Sequence, residues 1–439
     1  MKNIQIISNK LGTNNSSPVI IWIDRTILFC FSILVFILPI PHTITIRTFA
    51  FYIPITLFIV RSFLMRDFTW RKTSFELPFA VFFLVALTSL ITAHNPQKSI
   101  EEIWKNLVIP ILYFYTFYLS IKKEDNGLFL IMLILLGNFI SNLYSFYGFK
   151  MNSGTLFAAT YRAEGLKGAT EINGLYQTMI FPFIFWGLFY FKKYWQKILL
   201  FILICTNLLA LHITFTRAAY LALAMQLLFI TGIFILKKRW ISSLIITLFL
   251  ILVSFFYIEN KMFREMHTHN IPPLNAFIQA KPEDIAGASP GSMEQRLAMW
   301  KTAIELIAQK PFYAHGYGRF NFGEIVRNET NKNFILYPNM HSTFISVAFE
   351  LGIQGLIIFL WMIGAFIIAT WKVLRKNDSN LSFFFSASLL TMMAGYWVGN
   401  LFQNFDADDI KLLFMVMLGI GMAVMHRIPK EKELLHRRQ

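Results

Sequence analysis

Long apolar runs separated by short polar segments organise this chain. A membrane-spanning helix needs about 20 mostly apolar residues. Twelve runs approach that length, at 20–40, 44–61, 76–93, 106–121, 127–147, 174–191, 197–214, 218–236, 241–258, 341–370, 381–401 and 410–426. The pattern predicts an all-α polytopic integral membrane protein of about 12 transmembrane helices. One long polar stretch, 259–340, interrupts it. Within that stretch MEQRLAMWKTAIELIAQ sets Leu297, Trp300, Ala303, Ile304 and Ile307 on one face at helical spacing, and Pro311 ends the helix. The expected organisation is a tail (1–19), nine helices (20–258), the long helical loop (259–340), three helices (341–426) and a basic tail (427–439). A smaller, glycine-containing loop covers about 149–173.

Composition agrees with this class. Of 439 residues 56% are hydrophobic and 15% charged, against roughly 25% charged in soluble chains. A formal charge of +16 could suggest nucleic acid. The basic residues instead cluster in short segments between apolar runs, as the positive-inside rule describes, so membrane lipids rather than nucleic acid are the implied partner. With the N-terminus inside, 23 of the 40 Lys and Arg fall in cytoplasmic segments, against 8 in short segments on the other side and nine in the long loop. Long loops do not count in the rule. Both termini are therefore expected in the cytoplasm and the long loop outside it. The first apolar run lacks a small-residue cleavage site after it and reads as a retained span. Cys30 and Cys205 lie inside apolar runs and read as neither a disulfide nor a thiolate metal site.

Few residues could carry chemistry. Arg217, in HITFTRAAYLAL, sits at the outer junction of two nearly continuous apolar runs. An arginine at membrane depth is costly, and its fork suits a phosphate bidentately; the competing reading is a snorkelling or ion-paired arginine. His341, in LYPNMHSTFISVAFELGIQGL, lies where the long loop returns to the membrane, and a neutral imidazole there could take a proton. On a continuous helix Phe344, Ile345 and Ala348 would share its face, with Glu350 half a turn out of phase. Arg296, in MEQRLAMW, is by itself an ordinary amphipathic-helix arginine. The smaller loop reads YRAEGLKGATEINGLY, offering Arg162 and Lys167 among glycines that permit close backbone approach to a ligand. Tyr317 and Arg319 belong to the HGYGRFNF segment of the long loop. Asp406, Asp408 and Asp409 could hold a hard cation, but a solvated acidic turn is the simpler reading, and no metal site is assigned. No Gly-rich nucleotide loop, GxSxG or HExxH occurs.

Together these features resemble the bacterial O-antigen ligases, within the wider O-antigen ligase and polymerase superfamily. The resemblance rests on TFTRAAY with Arg217, and on R-x-x-x-W (Arg296, Trp300) followed by a Pro- and Gly-containing loop that here reads PFYAHGYGRFNF. It rests also on the HSTFISVAFELGIQGL return helix with His341, and on the twelve-span layout with one large outer loop. Ser342 stands where the family usually has Asn. The resemblance implies glycosyl transfer on the periplasmic side of the inner membrane, inverting and without metal, cofactor or nucleotide sugar. The implied donor is O-antigen polysaccharide on undecaprenyl diphosphate; the implied acceptor is a sugar hydroxyl of lipid A–core oligosaccharide. Arg217 and Arg296 would then face the diphosphate and His341 the hydroxyl, with Arg162, Lys167, Tyr317 and Arg319 binding substrate. An O-antigen polymerase is the alternative within the class. A lipid-linked glycan flippase is the alternative outside it, for which charges near the bilayer midplane on broken helices would be expected; Glu350 is the one such charge the sequence suggests.

Overall fold

The computed structural model describes residues 18–40, 42–66, 73–153, 162–241, 244, 247–248, 293–330, 340–376, 379–402 and 408–427. Among them the fold is all helical, as expected. The helices are α1 (Pro18–Ile37), α2 (Ile44–Met65), α3 (Glu76–Thr88), α4 (Pro96–Ile103), α5 (Ile109–Ser120), α6 (Glu124–Ser153), α7 (Thr170–Tyr190), α8 (Tyr194–His212), α9 (Arg217–Leu236), α10 (Met293–Gln309), α11 (Phe320–Thr330), α12 (Thr343–Lys376), α13 (Asn380–Gly399) and α14 (Asp408–Met422). Eight of these, α1, α2, α6, α7, α8, α9, α12 and α13, are long and apolar enough to cross a membrane. Two apolar segments, Glu76–Ile91 and Ile410–His426, are shorter. The run expected at 106–121 is α5 joined to α4 through a π-helical turn at Trp104–Val108. Nearly all of the run at 241–258 lies outside the described residues, as do the two tails and most of the first half of the long loop.

Two helices form the centre. α7 and α13 pack on each other, and α9 packs on both. Trp186, Phe183 and Tyr176 on α7 and Tyr396 on α13 are almost wholly enclosed. Hydrophobic collapse does not drive helices together in lipid, so close packing and buried polar bonds must. Both occur here. The Gln226 side chain donates to the Thr178 carbonyl at 2.6 Å, and the Asn207 amide donates to Gln177 Oε1 at 2.7 Å. Around this centre α1 packs on α2 and α6, α5 on α14, and α12 on α13, α3 and α10. At one end of the bundle Asp24 collects Arg61 at 2.9 Å and Lys122 at 2.7 Å. Arg61 and Lys122 come from two segments expected on the same side, so the register of the first spans agrees with the charge pattern.

On α10 the expected Leu297 and Ala303 are buried, with Ala298, Met299 and Thr302 beside them and Ile307 packed against this group, while Ile304 is exposed. α10 packs in this way on α12. The structure corrects one local expectation. His341 is not on the return helix. It precedes Thr343 with φ 52°, and α12 itself breaks at Gly352 (φ 75°, ψ 176°). The helical-face argument for His341 therefore does not apply.

Candidate functional site

The junction of α8 and α9 is a tight reversal. Phe215 takes a left-handed φ of 49°, and Arg217 becomes the first residue of a 20-residue helix. A cation there opposes the helix dipole, whose N-terminal end is already positive. The same arrangement suits an anion, because free N–H groups, dipole and guanidinium act together. Thr216 does not cap the helix with its side chain. Its hydroxyl donates to the Thr170 carbonyl at 3.2 Å and accepts Arg162 Nη2 at 3.3 Å. Arg162 also donates through Nε to the Thr214 carbonyl at 3.0 Å and lies 3.6 Å from Glu171. The smaller loop is thereby strapped along the α8–α9 turn, with Ala163 N–H on the Ile213 carbonyl at 2.9 Å.

Arg296 arrives from the long loop. Burial lowers its affinity for the proton below the ordinary guanidinium value; Glu171 opposes this, while Arg162 and Arg217 add to it. Three arginines and one carboxylate therefore share one electrostatic neighbourhood. Arg296 Nη1 donates to the Phe402 carbonyl at 3.3 Å, and its Nε–H is buried without a partner among the described residues.

The R-x-x-x-W spacing now has a physical reason. Residues i and i+4 lie on one helix face, so Arg296 and Trp300 grip adjacent parts of one loop system. Trp300 Nε1 donates to the Met340 carbonyl at 2.6 Å, and its ring meets Phe402 at 6.2 Å. Two residues beyond His341, the Thr343 backbone N–H bonds the Asn400 carbonyl at 3.0 Å and its hydroxyl bonds Asn400 Oδ1 at 3.0 Å. His341 is held between these anchors in a left-handed conformation that non-glycine residues seldom adopt. Such strain persists only where the surroundings impose it, and it concentrates at functional positions.

The PFYAHGYGRFNF segment of the long loop docks into the break of α12. The Pro311 carbonyl accepts the Ile353 N–H at 2.9 Å, and the Phe312 carbonyl accepts Gln354 Nε2 at 3.1 Å. His315 and Gly316 N–H groups bond the Phe349 and Glu350 carbonyls at 3.4 and 3.1 Å, and Gly318 N–H bonds the Glu350 carboxylate at 2.8 Å. A helix broken at membrane depth frees backbone groups that protein must satisfy, and this loop does so. Tyr317 is consequently buried against Phe82 and lines an enclosed cavity with Thr343, Ser346, Glu350 and Asn106. Arg319 stacks over Phe320 at 5.2 Å. His315 lies flat on Phe349, ring centroids 4.2 Å apart. Burial, then the nearby His94 and Lys310, pushes it down to about 4, which makes it a poor base near neutrality.

Behind this loop sits a polar group that sequence reading missed apart from Glu350. Glu102 and Lys411 are buried, joined through Asn106: the Asn106 amide donates to Glu102, and Lys411 donates to Asn106 Oδ1 at 2.6 Å. Glu102 also packs against the α-carbon of Gly318. Lys411 stands at the start of the apolar run 410–426, directly after an acidic stretch. Glu171 was also missed, although it stands in the same quoted stretch as Arg162. Lys167 belongs to the turn Gly165–Lys167; its side chain, with Asp406 and the side chains of Asp408 and Asp409, lies outside the described set. Among the described residues no group of three or more His, Cys, Asp or Glu could hold a metal ion.

Gly316 and Gly318 adopt φ of 101° and 112°, and a Cβ on Gly316 would come within 2.5 Å of Ala93 Cβ. Gly316→Ala is expected to lower stability by about 2 kcal/mol. Thermal unfolding in detergent reads this directly, and an unchanged midpoint would mean that the loop is not seated in the helix break.

A polytopic helical membrane protein with clustered arginines beside a strained histidine is the class this arrangement defines. A family model described as O-antigen ligase matches residues 203–360. The matched segment runs from α8 through Arg217, Arg296 and His341 into α12. The family covers O-antigen ligases and related polymerases. No curated protein matches the chain.

Proposed function

We propose that this protein is an O-antigen ligase. It transfers polysaccharide from undecaprenyl diphosphate to a sugar hydroxyl of lipid A–core oligosaccharide, on the periplasmic side of the bacterial inner membrane. The observation that carries the reading is the charge balance at the junction. Three guanidinium groups, Arg162, Arg217 and Arg296, share one neighbourhood with the carboxylate of Glu171. A lipid diphosphate diester carries one negative charge on each phosphorus and would offset the surplus. Fixed cations aimed at a charge that grows in the transition state are an effective way to lower a barrier.

In the proposed reaction the acceptor hydroxyl attacks the anomeric carbon from the face opposite the diphosphate. The new C–O bond forms as the old one breaks, and configuration inverts. His341 takes the hydroxyl proton. The bonding electrons leave on the diphosphate oxygen, whose charge Arg217 and Arg296 stabilise, with Arg162 holding the smaller loop against the same junction. Arg162, Lys167, Tyr317 and Arg319 are the proposed substrate contacts, with Tyr317 lining the cavity beside the helix break. The proposed orientation sets both termini in the cytoplasm.

The test is transfer in proteoliposomes from lipid-linked glycan to purified lipid A–core. Product on lipid A–core supports the ligase. Elongation of the lipid-linked glycan itself would make the protein a polymerase, and movement of glycan across the bilayer without transfer would make it a flippase. Because no residue in the proposed reaction needs a cation, EDTA is expected to leave the rate unchanged. Loss with EDTA, restored by Mg²⁺ or Mn²⁺, would bring Asp406, Asp408 and Asp409 into the reaction.

A further inference from the structure

The end of the bundle remote from the arginines holds a second basic site. α9 has 20 residues, about 30 Å at 1.5 Å per residue, which matches the hydrocarbon thickness of a bilayer. Its far end therefore lies at the opposite membrane face from Arg217. There the C-termini of α7 and α9 and the N-terminus of α13 enclose a space of about 250 Å³, lined by Trp186, Tyr190, Phe384, Lys237, Arg239 and Asn380 among others. That is many times the space a single water needs, enough for a phosphate group with part of its glycerol.

The two cations are placed by the backbone. Lys238 takes a left-handed φ of 56°, its N–H bonds the Ile235 carbonyl, and Arg239 N–H returns to the Phe234 carbonyl at 2.9 Å. This αL termination folds Arg239 back to the pocket instead of letting the chain run away from it. Lys237 Nζ stands 5.2 Å from the Phe383 ring. No ion pair is formed by Lys237 or Arg239 among the described residues. Glu124 and Asp125 act electrostatically on Tyr190 but do not line the space. Helix C-termini favour basic residues in any case. A cap alone, however, requires neither an open space nor a wall of aromatic rings. Aromatic side chains of this kind settle at headgroup level, and basic pockets between helices on the cytoplasmic side suit anionic lipid heads.

We propose that this pocket binds the phosphate of an anionic phospholipid in the leaflet opposite the arginine cluster. The site stands independently of the transfer reaction, and its test needs no activity. The full chain is purified in detergent and exposed to phosphatidylglycerol or cardiolipin, to phosphatidylethanolamine, or to inorganic phosphate, with binding read by native mass spectrometry and by the thermal unfolding midpoint. Anionic lipid is expected to stay bound and raise the midpoint, and the zwitterionic lipid and free phosphate are expected to do neither. Lys237→Ala with Arg239→Ala should weaken anionic-lipid binding roughly 30-fold. Lys192→Ala with Lys193→Ala, at the same end but outside the lining, should leave it unchanged. Arg239→Gln, at an exposed position beyond α9, is expected to weaken binding roughly fivefold and covers the case in which the double variant does not fold. The proposal is overturned if the wild type binds no anionic lipid, if free phosphate or phosphatidylethanolamine shifts the midpoint equally, or if Arg239→Gln binds like the wild type.

Discussion

His341→Ala is expected to reduce glycan transfer roughly 10²–10⁴-fold, the range for loss of a general base, while leaving donor binding intact. The motivation is positional. His341 follows Met340, whose carbonyl Trp300 holds, and precedes Thr343, which Asn400 holds, so its imidazole comes from a fixed point beside the arginine-bearing helix. A left-handed backbone suits alanine less well than histidine. His341→Asn supplies a second case, because Asn tolerates φ near 52° better than most residues and still lacks a base in this range. Both variants should bind lipid-linked glycan normally and transfer it poorly. Full transfer by either would remove His341 from the reaction. Loss of donor binding together with transfer would mean that the residue shapes the site instead of serving the hydroxyl.

Arg217→Ala is expected to weaken donor binding and to reduce turnover by roughly 10²–10³, the cost of removing one donor from a stabilised oxyanion. Arg217→Lys should recover little of this. It keeps the charge, but an ammonium on a flexible stem cannot reproduce a planar fork against two phosphate oxygens. At the first position of α9 a cation gains nothing from its own helix. Thermal midpoints, measured beside donor binding and transfer, separate loss of the fork from loss of the fold. Normal donor binding by Arg217→Ala, or full activity of Arg217→Lys, would sink the diphosphate assignment. Arg296 is the less clean probe, because its Nη1 also fastens the Phe402 carbonyl; Arg296→Ala should lower both activity and stability.

The sequence by itself determined the membrane class, most of the helices and the positions at which unusual residues stand. Apolar runs and basic clusters record solvent preference residue by residue, so they survive without knowledge of the fold. Arg217 was legible because a cation between two nearly continuous apolar runs has no local reason to be there. Only the tertiary structure decided which of these residues meet. The R-x-x-x-W spacing became meaningful when Arg296 and Trp300 were seen to hold the Phe402 and Met340 carbonyls, partners 106 and 40 residues away along the chain. Periodicity drew one straight return helix, whereas α12 breaks at Gly352 because a loop about 40 residues upstream satisfies the backbone groups the break exposes. Glu102 and Lys411 were invisible for the converse reason. Local pattern sets a charge in a loop or at a helix end, and burial beside a neutral amide is decided by segments that only folding brings together.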